Sequence, residues 1–334
     1  MDKNKTDDVG RDFLPDKLLR IYISDYCNFH CKFCDLINPN ENKANHTKFK
    51  LDDLALIVDA MINTDCHNFQ LTGGEPFLHE KQYLIDVVSA FSSKKGIEQF
   101  WVVSNGSLLT DESLCKDLFN AGLRRITISI AGETNEKYKA CSLSDFTLDH
   151  TLNSIETILQ AGISVYVHVP LNRVGVSSFE QLEVLLNQTQ KIGVKHAFYF
   201  GLYSTPHIDQ DYGKLYIDPQ QVTEGFFRSK DWSLQHTNKG RPYFTNGNMQ
   251  VFAPSNKVYL VTETCKENNC GDYCQGIYSA NLFNMPKGLI VRACKRVFPD
   301  KRNEFAIDSR MLAEKDIDGV TETCRKMWQY AYGK

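Results

Sequence analysis

The chain lacks any run approaching the roughly eighteen apolar residues of a membrane span, and its first residues, MDKNKTDDVGRDF, carry no apolar stretch of the kind that directs secretion. Both absences lead to the expectation of a cytoplasmic protein. An excess of basic charge is also missing: 38 Lys and Arg stand against 41 Asp and Glu, a formal net charge of −3. A sequence-independent grip on nucleic acid needs a basic face, so no nucleic-acid partner is expected, and no membrane partner either. Internal repeats and low-complexity segments are absent. What is present is enough apolar sequence, 42% of 334 residues, to bury a large core, and eleven cysteines. In a reducing compartment clustered cysteines point to metal ligation and not to disulfides.

Between residues 18 and 201, β-rich and amphipathic stretches alternate six times. Strands are predicted at 18–24, 67–72, 99–105, 124–130, 163–169 and 195–201, with helices such as LDDLALIVDAMI and TLNSIETILQAG between them. The first opens on an acidic turn and the second ends on a glycine suited to a helix C-cap. The expected fold is α/β, a partial (β/α)6 TIM-like barrel with a small C-terminal auxiliary domain. Residues 1–17 are read as an N-terminal extension, 18–230 as the barrel and 231–334 as the auxiliary domain. In such barrels the chemistry lies at the carboxyl ends of the strands. The segment 203–217 is read either as a lid over that end, with His207 and Asp209 as contacts, or as a plain surface loop.

The segment SDYCNFHCKFCDL spaces Cys27, Cys31 and Cys34 as CxxxCxxC directly after the first strand. Three thiolates suit a [4Fe–4S] cluster with one iron left for another ligand. They also suit a zinc site completed by a remote ligand, and spacing alone leaves both readings open. S-adenosylmethionine (SAM) can fill the open iron position through its amino and carboxylate groups. Reductive cleavage of its sulfonium then yields a 5′-deoxyadenosyl radical.

With LTGGEP after the second strand and VVSNG ending the third, the chain resembles the radical SAM superfamily and, within it, the molybdopterin-pathway GTP cyclase (MoaA) family. The resemblance implies that Gly73, Gly74 and Glu75 hold the methionyl amine of SAM. Glycines admit close main-chain approach and a carboxylate suits an ammonium group. It further implies that Ser104 and Asn105 of VVSNG, Ser129 of ITISIAG, Phe33 in the cysteine loop and Leu202 contact SAM.

CKENNCGDYC followed by NMPKGLIVRAC places Cys265, Cys270, Cys274 and Cys294 together, with Gly288 suited to a hairpin turn. This resembles the family's auxiliary-cluster (twitch or SPASM-type) domain and implies a second [4Fe–4S] cluster. The cyclases use three cysteines there, and Cys265 offers a fourth. Cys66, Cys115, Cys141 and Cys324 are read as buried structural thiols.

The basic residues with which the cyclases grip a triphosphate are mostly replaced. Arg20 is retained, whereas Asn68, Gln70, Tyr166, Ala197, Gly276 and Tyr278 stand where the resemblance leads one to expect charge. Arg20, Asn68, Gln70, Tyr166 and His168 are therefore expected to rim a cavity for a small polar metabolite, a sugar, nucleoside or amino-acid derivative. Hydrogen abstraction would leave a substrate radical that loses an electron to the auxiliary cluster or rearranges. An external donor such as flavodoxin or ferredoxin would supply the reducing electron. The alternatives are a short ribosomal peptide as substrate, GTP itself, or a non-catalytic iron–sulfur or zinc protein.

Overall fold

Period-two strands and period-3.6 helices alternate because each strand must bury one face against helices and turn the other towards the barrel axis. The computed structural model describes residues 18–24, 26–34, 50–201, 215, 217–238, 242–252, 288–292, 314–319, 321–322 and 325. Six strands follow the expected order: β1 (Leu18–Ser24), β2 (Asn68–Gly73), β3 (Gln99–Ser104), β4 (Arg125–Ser129), β5 (Ser164–Leu171) and β6 (His196–Gly201). The helices among and after them are α1 (Leu51–Ile62), α2 (Lys81–Ser93), α3 (Glu112–Asn120), α4 (Asn135–Ser142), α5 (Leu148–Gln160), α6 (Phe179–Lys191) and α7 (Pro219–Arg228). Each of the six strands runs parallel to its neighbours in sequence.

Helix starts are set by short polar side chains. Asp111, Thr134, Thr147, Ser178 and Asp218 each accept backbone N–H groups at the start of α3 to α7. The helix α5 buries Leu148, Thr151, Ile155 and Ile158 on one stripe, and it ends where Gly162 adopts a positive φ of +88°. Outward strand residues such as Phe69 meet this helical layer, here the ring of Phe91 at 5.8 Å.

Beyond β6 the sheet continues. The strands β7 (Ser233–His236), β8 (Pro242–Thr245), β9 (Gln250–Phe252) and β10 (Gly288–Arg292) give the order β10, β1, β2, β3, β4, β5, β6, β9, β8, β7. The strands β7 to β9, assigned by sequence to the C-terminal region, are thus joined to the barrel through the β6–β9 pair. Gly288 is the first residue of β10, paired in parallel with Leu18. Gly288, read from sequence as suited to a hairpin turn, thus opens the strand GLIVR, which covers the edge of β1.

Residues 1–17, the paired-cysteine segment around Cys265, Cys270, Cys274 and Cys294, and also Leu202, His207, Asp209, Gly276, Tyr278 and Cys324 lie outside the described residues. Among the described residues no helix is long and apolar enough to cross a membrane.

Candidate functional site

The three thiols lie on the loop that leaves β1, and this loop is anchored on both sides. The backbone N–H groups of His30 and Lys32 donate to the Ser142 and Cys141 carbonyls at the end of α4, at 3.0 and 2.9 Å. Phe29 is buried against the rings of Phe146 and Tyr138, at 5.6 and 6.3 Å. Cys27 is buried, Cys31 and Cys34 are half-buried, and none of the three is in a disulfide. Burial pushes the Cys27 thiol up to about 12, with the Glu75 charge acting in the same direction, and burial also raises Cys31, with Cys34 and Cys27 adding to it. Three thiols, one buried and two half-buried, within electrostatic reach of one another suit a cationic centre. Among the described residues no three His, Cys, Asp or Glu side chains are gathered closely enough to hold a single metal ion. A cubane cluster takes its thiolates at separate corners, and three thiols on one loop are a donor set of that kind.

The GGEP turn packs directly beneath the thiol loop. A Cβ added at Gly73 would lie 2.0 Å from the Ser24 carbonyl oxygen, and one at Gly74 would lie 2.1 Å from that of Tyr26. The Gly74 and Glu75 N–H groups donate to these same carbonyls at 2.8 Å. The glycines are therefore demanded by the close approach of the β1 exit, where the sequence suggested approach to a ligand.

Glu75 also departs from its expected part. Its side chain is fully buried. Oε1 accepts from the Ser104 hydroxyl at 2.9 Å and the Phe77 N–H at 3.0 Å, and Oε2 accepts from the Asn105 N–H at 2.7 Å. Burial raises its pKa to about 7, held back by those three donors. The carboxylate faces the β2–β3 junction, so its visible work is to tie two loops together. Ser104 and Asn105 are part of this brace. The Asn105 side chain reaches further, to Asn28 and the Cys27 sulfur.

The barrel interior has two tiers. In the upper tier Arg20, Gln70, Thr72, Ser129, His168 and Phe200 keep some accessible surface. Arg20 Nε donates to Gln70 Oε1 at 3.4 Å, and the Ser129 hydroxyl lies 3.4 Å from His168 Nδ1. His168 stacks on Phe200 at 4.2 Å. Burial among protein atoms, with the Arg20 charge adding to it, pushes its pKa down to about 3, so the imidazole is neutral at physiological pH. In the lower tier Asn68, Trp101, Thr127, Tyr166 and His196 are buried. The Arg125 guanidinium lies between Trp101 and Tyr166, at 4.3 and 3.8 Å from their ring centres. Tyr166 stacks in turn on His196 at 4.6 Å and 13°.

Of the five residues expected to rim a cavity, Arg20, Gln70 and His168 come together at the accessible level. Asn68 and Tyr166 belong to the floor. Sequence inspection missed Arg125, His196, Asn28 and the α4 carbonyls. The alternation Arg125, Thr127, Ser129 along β4 is the available signal, since polar residues at period two mark the interior face. Phe33 packs with Leu215 and Val174 beside the thiol loop, which places one residue of the segment 203–217 near it. Cys66, Cys115 and Cys141 are buried thiols that donate to the Asn68 carbonyl, the Leu109 carbonyl and Asn172 Oδ1, and the carbonyl of Cys141 anchors the thiol loop.

The model of the family described as "Radical SAM superfamily" matches residues 21–187, half of the 334-residue chain. The GTP 3',8-cyclase of Clostridium perfringens (strain SM101 / Type A) is 30% identical over 167 residues, 50% of this chain and 49% of that protein. The match thus spans about half the length of this relative. Among solved structures, Streptococcus suis SuiB superposes with a TM-score of 0.58 at 13% identity, covering 95% of this chain and 67% of SuiB. SuiB bound to precursor peptide SuiA gives 0.54 at 15%, covering 84% and 58%. At such identities these two show a shared fold.

Proposed function

The chain belongs to the radical SAM superfamily, and from this we propose that Cys27, Cys31 and Cys34 hold its [4Fe–4S] cluster and that its substrate is a small polar metabolite. Bound together, cluster and SAM supply a 5′-deoxyadenosyl radical when one electron enters the sulfonium. The chain's own residues shape where that radical acts. The loop anchored on α4 holds the three thiolates. The GGEP turn of Gly73 to Glu75, held to the β1 exit, would take the SAM amine, and Ser129 and Phe33 would contact SAM beside it.

The two-tier interior carries the substrate reading. Above a closed floor of Trp101, Thr127, Tyr166 and His196, the accessible positions offer one guanidinium, one amide, two hydroxyls and a neutral imidazole. Such a set suits a polar molecule with no more than one anionic group on Arg20. A triphosphate needs several cations, and Asn68, Gln70, Tyr166 and Ala197 supply none. The second reading is a short ribosomal peptide, favoured by the solved structure of SuiB with a precursor peptide.

Cys265, Cys270, Cys274 and Cys294 are proposed as ligands of an auxiliary [4Fe–4S] cluster, and a flavodoxin or ferredoxin as the electron source. Support for the auxiliary site comes from β10, which runs parallel to β1. Its carboxyl end therefore shares the sheet end from which the first thiol loop departs.

The test is anaerobic reconstitution followed by dithionite and SAM. Formation of 5′-deoxyadenosine by the natural chain, abolished in a Cys27/Cys31/Cys34 triple alanine variant, is expected. No product from either protein, or equal product from both, sinks the assignment. A panel of sugars, nucleosides and amino-acid derivatives is then scored for consumption against short peptides.

A further inference from the structure

Three side chains join the loop leaving β1 to the loop leaving β3, and each orients the next. Asn105 Oδ1 accepts the Ser107 backbone N–H at 2.9 Å. A backbone N–H can only donate, so the other end of the Asn105 amide is its Nδ2 donor. That donor reaches Asn28 Oδ1 at 2.9 Å and stands 3.7 Å from the Cys27 sulfur. Asn28 must then turn its own Nδ2 to the Ser107 hydroxyl, at 2.8 Å. A second donor, the Phe29 N–H, meets the same sulfur at 3.4 Å. The frame is rigid, because the Asn105 N–H is held by the buried Glu75 carboxylate at 2.7 Å and the Ser107 carbonyl is held by His150 at 2.8 Å.

We infer that Asn105 is a positioning residue that sets the reduction potential of the cluster by donating a hydrogen bond to the Cys27 thiolate. This rests on the reading that Cys27, Cys31 and Cys34 hold that cluster. Reduction adds an electron, and part of the added charge resides on the sulfurs. An N–H directed at a ligand sulfur stabilises the reduced form and moves the potential upward. Both ends of the Asn105 amide are engaged within the two loops, so its part is directed at the cluster ligand, not at SAM as the sequence resemblance implied.

The experiment uses the full chain, reconstituted anaerobically, as wild type, Asn105→Ala and Asn105→Asp. Iron and sulfide are counted, and the paramagnetic signal that responds to added SAM is followed against a series of poised potentials. Both variants are expected to carry wild-type iron and to have a midpoint more negative than wild type. Asn105→Asp should shift further, because a negative charge replaces the donor. With a weak reductant 5′-deoxyadenosine formation falls, and a stronger one restores it. An unchanged midpoint in cluster-loaded variants overturns the inference. Loss of the cluster or of the fold in both variants also overturns it, since Asn105 would then be a structural brace. A wild-type chain that holds no [4Fe–4S] cluster fails earlier and sinks the assignment of the site itself.

Discussion

The Glu75 carboxylate accepts the Asn105 backbone N–H at 2.7 Å, joining the turn after β2 to the loop after β3. Replacing it by Gln puts an NH2 group against a donor and leaves a buried N–H unmatched. Glu75→Gln is expected to destabilise the cluster-free chain by about 1–3 kcal/mol in denaturant unfolding. Unchanged stability with weakened SAM binding would return Glu75 to direct contact with the cofactor.

Gly74 faces the Tyr26 carbonyl so closely that a Cβ would stand 2.1 Å from its oxygen. Gly74→Ala must push the β1 exit aside, and with it Cys27. The expected result is a destabilisation of about 1–3 kcal/mol, the range of overpacking, together with reduced iron after reconstitution. Wild-type iron content and stability would show that the loop has room to yield.

Tyr166 lies between the Arg125 guanidinium and the His196 ring. Its aromatic body packs against both. Tyr166→Ala is expected to cost about 3–5 kcal/mol, while Tyr166→Phe stays within about 1.5 kcal/mol. Were Tyr166 a substrate contact instead, Tyr166→Phe would raise KM at unchanged stability, and measuring both quantities separates the two.

The depressed pKa of His168, about 3 against an ordinary 6.5, makes a pH prediction. Between these values the unfolded chain takes up a proton that the folded chain refuses. The stabilising contribution of the neutral ring is whole above about 6.5 and declines as pH falls towards 3. Comparing unfolding midpoints at neutral and mildly acidic pH, the wild type should lose more than His168→Gln. Equal losses would mean that the ring accepts its proton without penalty.

The barrel itself was legible because each of its units repeats a local rule. The run LLRIYIS is β1 from Leu18 to Ser24, and LDDLALIVDAMI is α1 from Leu51 to Ile62. The thiol loop, GGEP and SNG also fall at the carboxyl ends of β1, β2 and β3 as expected. The joining of β9 to β6 and of β10 to β1 was not legible. Pairing between segments far apart in the chain depends on which sheet edge is open, and no local pattern encodes that.

The sequence by itself determined the alternating architecture and the three clustered thiols. Spacing and residue type suffice for those. Tertiary structure alone decided that Glu75 braces two loops, that Tyr166 closes the floor while His168 faces the chamber, and that Asn105 reaches the Cys27 sulfur. Each of those outcomes depends on atoms brought within a few ångströms by strand pairing and burial, and such proximity between residues tens of positions apart has no signature along the chain.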